Sequence, residues 1–311
     1  MVGARKQYGD IKDMRDRGPK EFKSHMPDRK GFNSHGPNKE GSVMLVAEKD
    51  VVTTHPLNSI KNVAWLMKKH DFRRVPITDP GTNRLLGLAV AIDILDFLGG
   101  GEKYNIIKND YNGNFLAAIN CPIQKIMVDA SCVDKKASVD DIIGIILSRH
   151  TSAIPIVDDK ENKKVIALVT ERDVLPVAEE FGVKIKDAMH KKCITSTPGM
   201  MISDVSKVMV RNRLRRLPVI QEDHLVGVIT VFDILGFLGR GNFKGIDAEE
   251  NLSKRVEEIM EKDVILVTPD QDLAEVSRLV KKTNYGGFPV VEDDKLLGIV
   301  TTTDVLRWVY R

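Results

Sequence analysis

The sequence predicts a mixed α/β protein: four β-α-β-β-α units, arranged as two tandem pairs behind an extended basic tail. Three observations carry this expectation. An apolar strand with a proline, a polar turn and a second apolar strand leading to an acid recur together four times. A longer period of 140 residues brings the first unit into register with the third. Composition also changes near residue 42, from polar and basic to repeatedly apolar.

In chain order the tail comes first. Residues 1–42 carry ten Lys/Arg against six Asp/Glu, a net +4, while the remaining 269 residues carry 37 against 38. The +3 of the whole chain is therefore the tail's. Few apolar residues among many Gly, Pro, Lys, Arg and Asp cannot bury enough surface to fold alone, so an extended leader is expected. It holds a duplication of its own: residues 22–31 and 32–41 both read F-x-S-H-x-P-x-[RK]-x-G. Each copy offers a ring for base stacking, a Ser and a His for hydrogen bonds, and cations, a set suited to single-stranded or irregular RNA. The RNA-binding candidates are Arg5, Lys6, Arg15, Arg17, Lys20, Phe22, Lys23, His25, Arg29, Lys30, Phe32, His35 and Lys39. A free solvated leader, a metal held by His25 and His35, and a peptide that folds on a protein partner compete with that reading.

The units are expected at 43–100, 121–182, 183–241 and 254–311. Each opens on a short strand, as at Val51-Val52-Thr53 or Val264-Ile265-Leu266-Val267, followed by a helix with apolar residues at three-to-four spacing, as at Ile60, Val63, Ala64 and Met67. Ser59, Ser138 and Ser203 stand where N-caps belong. Two strands follow: Arg74-Val75-Pro76-Ile77 with Gly87 to Asp93, Ile154-Pro155-Ile156-Val157 with Ala167 to Asp173, Leu217-Pro218-Val219-Ile220 with Gly227 to Asp233, and Phe288-Pro289-Val290-Val291 with Gly298 to Asp304. The proline-to-acid steps are 17, 18, 15 and 15 residues, the variation falling in the turn, where length changes are tolerated. The acid then opens a last helix. Asp93-Ile94-Leu95-Asp96-Phe97-Leu98-Gly99-Gly100-Gly101 recurs as Asp233-Ile234-Leu235-Gly236-Phe237-Leu238-Gly239-Arg240-Gly241, so the first and third units match.

Composition excludes several classes. There is no eighteen-residue apolar run and no apolar signal region after Met1, so neither export nor a membrane partner is expected. Cys121, Cys132 and Cys193 form an odd set without a C-x-x-C pair, which reads as reduced thiols in a cytoplasmic protein and gives no metal site. No phosphate-binding GK[ST] loop, nucleophile elbow, H-E-x-x-H or kinase signature set appears, and no enzyme activity is expected.

The strand-proline-strand unit ending in G-h-h-[ST]-x-x-D, where h is apolar, resembles the CBS domain. The resemblance implies that tandem units pair sheet to sheet as Bateman modules, each unit completing its partner's core. It implies adenine nucleotides, AMP, ADP or ATP, in clefts between paired units, with no cofactor required. It further implies association of CBS pairs into a homodimer.

Within the family the motif Asp holds the ribose hydroxyls, and the Thr or Ser three residues earlier adds a hydroxyl. Three copies keep both groups: Thr170 with Asp173, Thr230 with Asp233, and Thr301 with Asp304. The first copy has Val90 before Asp93, and valine cannot donate. A carboxylate suits this role independently, because it accepts from two hydroxyls and sits favourably at a helix N-terminus. Arg73 and Arg215, three residues before the prolines, and Arg172 are the phosphate candidates. An ordinary N-cap is the competing reading of each Asp, and a solvated edge that of Arg73, Arg74, Arg215 and Arg216. In repeat architecture the chain resembles the gamma subunit of AMP-activated protein kinase. With its tail it also resembles archaeal CBS-repeat proteins that sit on ribosomal subunits and silence them. The expectation for the whole chain is therefore a regulator that binds a ribosomal subunit and represses translation while sensing nucleotides; the alternative is an energy sensor or accessory subunit with no ribosomal role.

Overall fold

A computed structural model of the chain describes residues 41–310 except 150, 242 and 244. The RNA-binding candidates from Arg5 to Lys39 lie outside the described residues.

Repeat 1 contains α1 (Ile60–His70), β1 (Arg74–Thr78), β2 (Leu85–Val90) and α2 (Ala91–Leu95), which widens into a π-helical turn over Asp96–Gly100. Two connecting helices follow, α3 (Tyr104–Asp110) and α4 (Phe115–Ile119). Repeat 2 contains β3 (Val133–Asp134), α5 (Val139–Arg149), β4 (Ala153–Val157) and β5 (Val165–Thr170). After α6 (Ile185–Ala188), repeat 3 runs through α7 (Ile202–Asn212), β6 (Arg216–Gln221), β7 (His224–Thr230) and α8 (Val231–Arg240). Behind α9 (Ala248–Leu252), repeat 4 is built from α10 (Ala274–Thr283), β8 (Gly287–Glu292), β9 (Lys295–Thr301) and α11 (Thr302–Val309). Among the described residues, no helix is long and apolar enough to cross a membrane.

Each repeat holds an antiparallel hairpin whose proline strand pairs with the motif strand, Pro76 opposite Leu88 and Pro289 opposite Ile299, with one register shift toward the turn. Turn chemistry accounts for the unequal proline-to-acid steps. Glu222-Asp223 and Asp293-Asp294 are tight two-residue turns with φ positive at both central positions, as a type I′ hairpin requires. Repeats 1 and 2 use longer loops closed by aspartates: Asp79 accepts from the Gly81 and Thr82 amides, and Asp159 from those of Glu161 and Asn162.

Three expectations need correction. The leading strands are single parallel bridges at Thr54–Ile77, Ser196–Val219 and Val267–Val290, and only repeat 2 extends to the two-residue β3. Two residues beyond each single bridge stands Pro56, Pro198 or Pro269, which has no N–H to continue a ladder; repeat 2 has Lys135 there. Ser59 and Ser138 cap their helices, but Ser203 does not, because α7 begins at Ile202, whose amide donates to the Lys254 carbonyl instead. The closing helix of repeat 2 is missing: the chain makes one turn after Thr170 and stops before Pro176, which a helix interior does not accommodate.

Within each pair the leading segments are exchanged. Glu48 bridges Leu168 and Val128 bridges Leu88; in the second pair His190 bridges Ile299 and Glu261 bridges Val228. The motif glycines make room for this. A Cβ at Gly87, Gly227 or Gly298 would stand 2.8, 2.7 or 2.5 Å from the carbonyl oxygen of Val128, Glu261 or His190.

The hydrophobic core does not follow the tandem pairs. One cluster joins repeats 1 and 3, with Ile60, Val63, Ala64 and Met67 of α1 among Ile234, Leu235 and Leu238 of α8. A second joins repeats 2 and 4, with Ile142 and Ile146 of α5 among Val305 and Leu306 of α11, and a small third cluster of Leu85, Val157 and Val165 joins repeats 1 and 2. The expectation that each tandem partner completes the core thus holds for the exchanged strands, while the helices find their apolar partners in the other pair. The 140-residue recurrence has its reason here: Gly239 packs on Trp65 and Gly100 on Val210, each letting a helix of repeat 1 and one of repeat 3 approach closely.

Candidate nucleotide cleft

The segment Thr301–Asp304 lies where β9 gives way to α11. Asp304 Oδ2 accepts from the Thr301 amide at 2.8 Å and from its hydroxyl at 2.7 Å, a reciprocal cap that fixes the carboxylate. Asp304 is 4% exposed, and its other oxygen lies 3.0 Å from Nε2 of the exposed His190. The expected N-cap role of the Asp is corrected: Thr301 is the N-cap and Asp304 stands at the third helical position, where it uses one oxygen for the capping box and leaves the second facing the exposed His190.

This carboxylate opens into a cleft of about 370 Å³, a volume within the usual range for small-molecule sites. One wall is the exchanged leading segment of repeat 3, with Lys192, Cys193 and the exposed Ile194; the other holds Arg213, Arg215 and Arg216, with Gly286 and Thr303 between. The structure therefore brings Thr301, Asp304 and Arg215 together. His190, Lys192, Ile194, Arg213 and Arg216 complete the lining. The spacing of a strand motif carries no information about the residues that an exchanged segment contributes.

Behind the cleft lies a cluster of cations. Arg216 donates to the Gly287 carbonyl at 2.5 Å, and Arg74 donates to the Ser152 hydroxyl. Arg73 and Arg215 each approach the same oxygen of Glu171 at 3.6 Å. The solvated-edge reading fails for Arg73, which is only 11% exposed, while Arg215 stays partly open at 34%. Burial, then repulsion from Arg215, pulls the Arg73 guanidinium well below its ordinary value, and the same causes bring Arg74 and Arg216 down to about 10. At about 10, Arg74 and Arg216 remain cationic at neutral pH. Repeats 2 and 4 offer Ser152-Ala153 and Gly286-Gly287 at the corresponding positions, small residues that leave space for the guanidiniums. Glu171 was legible in one respect, as an acid where the other repeats have Ala91, Val231 and Thr302.

The other three acids sit differently. Lys103 donates to Asp93 and to the Ile126 carbonyl, so in repeat 1 a lysine lies on the motif carboxylate, beside Val90. Asp93 is thus engaged from within the chain. In repeat 2, Asp173 caps through Thr170, and burial raises its pKa; Lys281 lies nearby and donates to the Arg172 carbonyl at 2.5 Å. Arg172 has its own pKa lowered by burial. In repeat 3, Asp233 caps through Thr230; burial raises its pKa, with Lys68 opposing and Glu261 adding to the rise. Among the described residues no group of His, Cys, Asp and Glu could hold a metal ion.

Comparison with known proteins agrees with this architecture. Residues 43–100, 123–180, 185–240 and 256–311 each match the family model described as the CBS domain. Protein MJ1225 of Methanocaldococcus jannaschii is 36% identical over 277 residues, 86% of this chain and 98% of its own length. Its crystal structure superposes with a TM-score of 0.78 at 35% identity, covering 86% of this chain and 99% of that one. A 33.4 kDa protein in the ribosomal RNA operon of Thermofilum pendens is 28% identical over 276 residues, 85% of this chain and 91% of its own. With four matched segments and a relative this similar along nearly all its length, the chain belongs to the CBS domain family.

Proposed function

We propose that the protein is a non-catalytic regulator that binds an adenine nucleotide in the cleft at Asp304. The observation that carries the reading is a buried, capped carboxylate with one oxygen turned to a cleft whose far wall is arginine. Asp304 would take the ribose hydroxyls in exchange for His190, Ile194 would lie against the base, and Arg213, Arg215 and Arg216 would hold phosphate. MJ1225 is described as a candidate archaeal homologue of g-AMPK, which supports the same reading. The carboxylates of repeats 2 and 3 are secondary candidates; in repeat 1, Lys103 competes for Asp93.

The test is thermal unfolding of the full chain with AMP, ADP or ATP. A ligand at a hundred times its dissociation constant stabilises by about 2.7 kcal/mol per site. No shift with any of the three, in protein shown to be nucleotide-free, overturns the proposal.

The duplicated tail motif carries a second reading, in which residues 1–42 bind a ribosomal subunit and the protein represses translation. Its support is the tail's sequence alone. Full-length protein would then co-sediment with ribosomal subunits, and removal of residues 1–42 would weaken this and flatten its salt dependence by about one unit of log-log slope per lost phosphate contact.

A further inference from the structure

Glu171 is a carboxylate set among Arg73, Arg74, Arg215 and Arg216, and it is approached from all three other repeats. Arg73 of repeat 1 and Arg215 of repeat 3 approach Oε2 at 3.6 Å, while the Thr303 hydroxyl of repeat 4 donates to Oε1 at 3.3 Å. The side chain is 4% exposed, and Oε2 accepts no hydrogen bond, so the two guanidiniums approach it without docking on it. Two of its three partners, Arg215 and Thr303, are also walls of the cleft at Asp304. Any anion drawn into the cleft toward Arg215 therefore meets a guanidinium that already neighbours Glu171.

We propose that Glu171 is the specificity-determining residue for ligand charge: a built-in counter-anion that shares Arg215 with the ligand and penalises each further phosphate. The argument rests on the nucleotide reading of the cleft. Charges must be compensated where burial removes water, and here one carboxylate serves several cations. A singly phosphorylated ligand needs only the excess positive charge. A di- or triphosphate adds negative charge beside a fixed carboxylate that has little water to screen it, so repulsion grows with phosphate number. A Cβ at Gly286 would stand 3.2 Å from one Arg216 nitrogen and 3.4 Å from one of Arg73, so the absence of a side chain there lets both guanidiniums lie against the glycine at the edge of the cleft.

The experiment is calorimetric titration of AMP, ADP and ATP into the full chain and into Glu171→Gln and Glu171→Asp variants. The wild type should prefer AMP. Glu171→Gln should improve ATP binding at least tenfold relative to AMP, and Glu171→Asp, which keeps the charge but draws it back from Arg215, should give a smaller change in the same direction. If Glu171→Gln does not fold, the Asp variant alone decides the sign. Unchanged AMP-to-ATP ratios in variants that still bind nucleotide overturn the role of Glu171 and leave the cleft standing. No binding of any of the three to the wild type overturns the cleft itself and the proposal with it.

Discussion

At the scale of single residues, the carboxylates of this protein separate by what surrounds them. Asp304 keeps one oxygen for its cap, so its two roles can be tested apart. Asp304→Ala is expected to lower stability by about 1 kcal/mol through loss of the cap and to weaken nucleotide binding by about 1.5–3 kcal/mol, roughly ten- to a hundredfold, through loss of a charge-assisted acceptor. Denaturant melts and calorimetry on one preparation read both. Full binding by the variant would remove Asp304 from the site. Glu171 gives a pH prediction. Burial pushes its carboxyl up, but Arg215, Arg73 and Arg74, with the Thr303 hydroxyl, outweigh burial and hold it below the usual range. A depressed folded-state value contributes stability that is present above the unfolded carboxyl's pKa, about 4.3, and lost as pH falls through the lower folded value. Glu171→Gln should therefore cost about 3 kcal/mol near neutrality by leaving buried cations uncompensated, and the difference should close in acid. A cost independent of pH would mean that the carboxyl is not ionised in the folded protein.

At the scale of elements, the motif glycine on β2, β7 and β9 explains itself once the exchanged segments are seen. The glycine is where a carbonyl from the tandem partner crosses the strand, so an added side chain meets backbone rather than solvent. Gly227→Val is expected to destabilise by about 1–3 kcal/mol through overpacking against the Glu261 carbonyl. Ala167 stands at the corresponding place in repeat 2, and Ala167→Gly should show a smaller effect. Chemical denaturation of the pair decides the matter, and a Gly227→Val variant of wild-type stability would refute the close-approach account. The helices obey their caps and prolines. Ser59 and Ser138 were readable as caps, whereas the start of α7 was set by a tertiary hydrogen bond from Ile202 to Lys254, which no local pattern announces.

At the scale of the whole described body, the helices of repeat 1 are buried against repeat 3 and those of repeat 2 against repeat 4. Each tandem pair therefore has an apolar helical face covered by the other pair. A fragment of residues 43–182 should expose Ile60, Val63, Met67, Ile142 and Ile146 and self-associate rather than remain a folded monomer. Sedimentation of that fragment beside the full chain would show it, and a stable monomeric fragment would contradict the shared core. This face is covered by the second half of the same chain.

The four units, their motif acids and the correspondence of repeats 1 and 3 were legible in the sequence by itself, because strand alternation, proline, glycine and capping chemistry act over a few residues. The grouping of the units was not. Which helical face meets which is a choice among several apolar stripes of similar pattern, and only the tertiary structure set repeat 1 on 3 and repeat 2 on 4. The functional cleft divides the same way. Thr301 and Asp304 were visible as a motif, but His190 on the carboxylate, Lys103 on Asp93 and Glu171 among the arginines depend on side chains brought together from 10 to more than 100 residues apart. Electrostatics acts through space, and the four-repeat packing decides which charges share it.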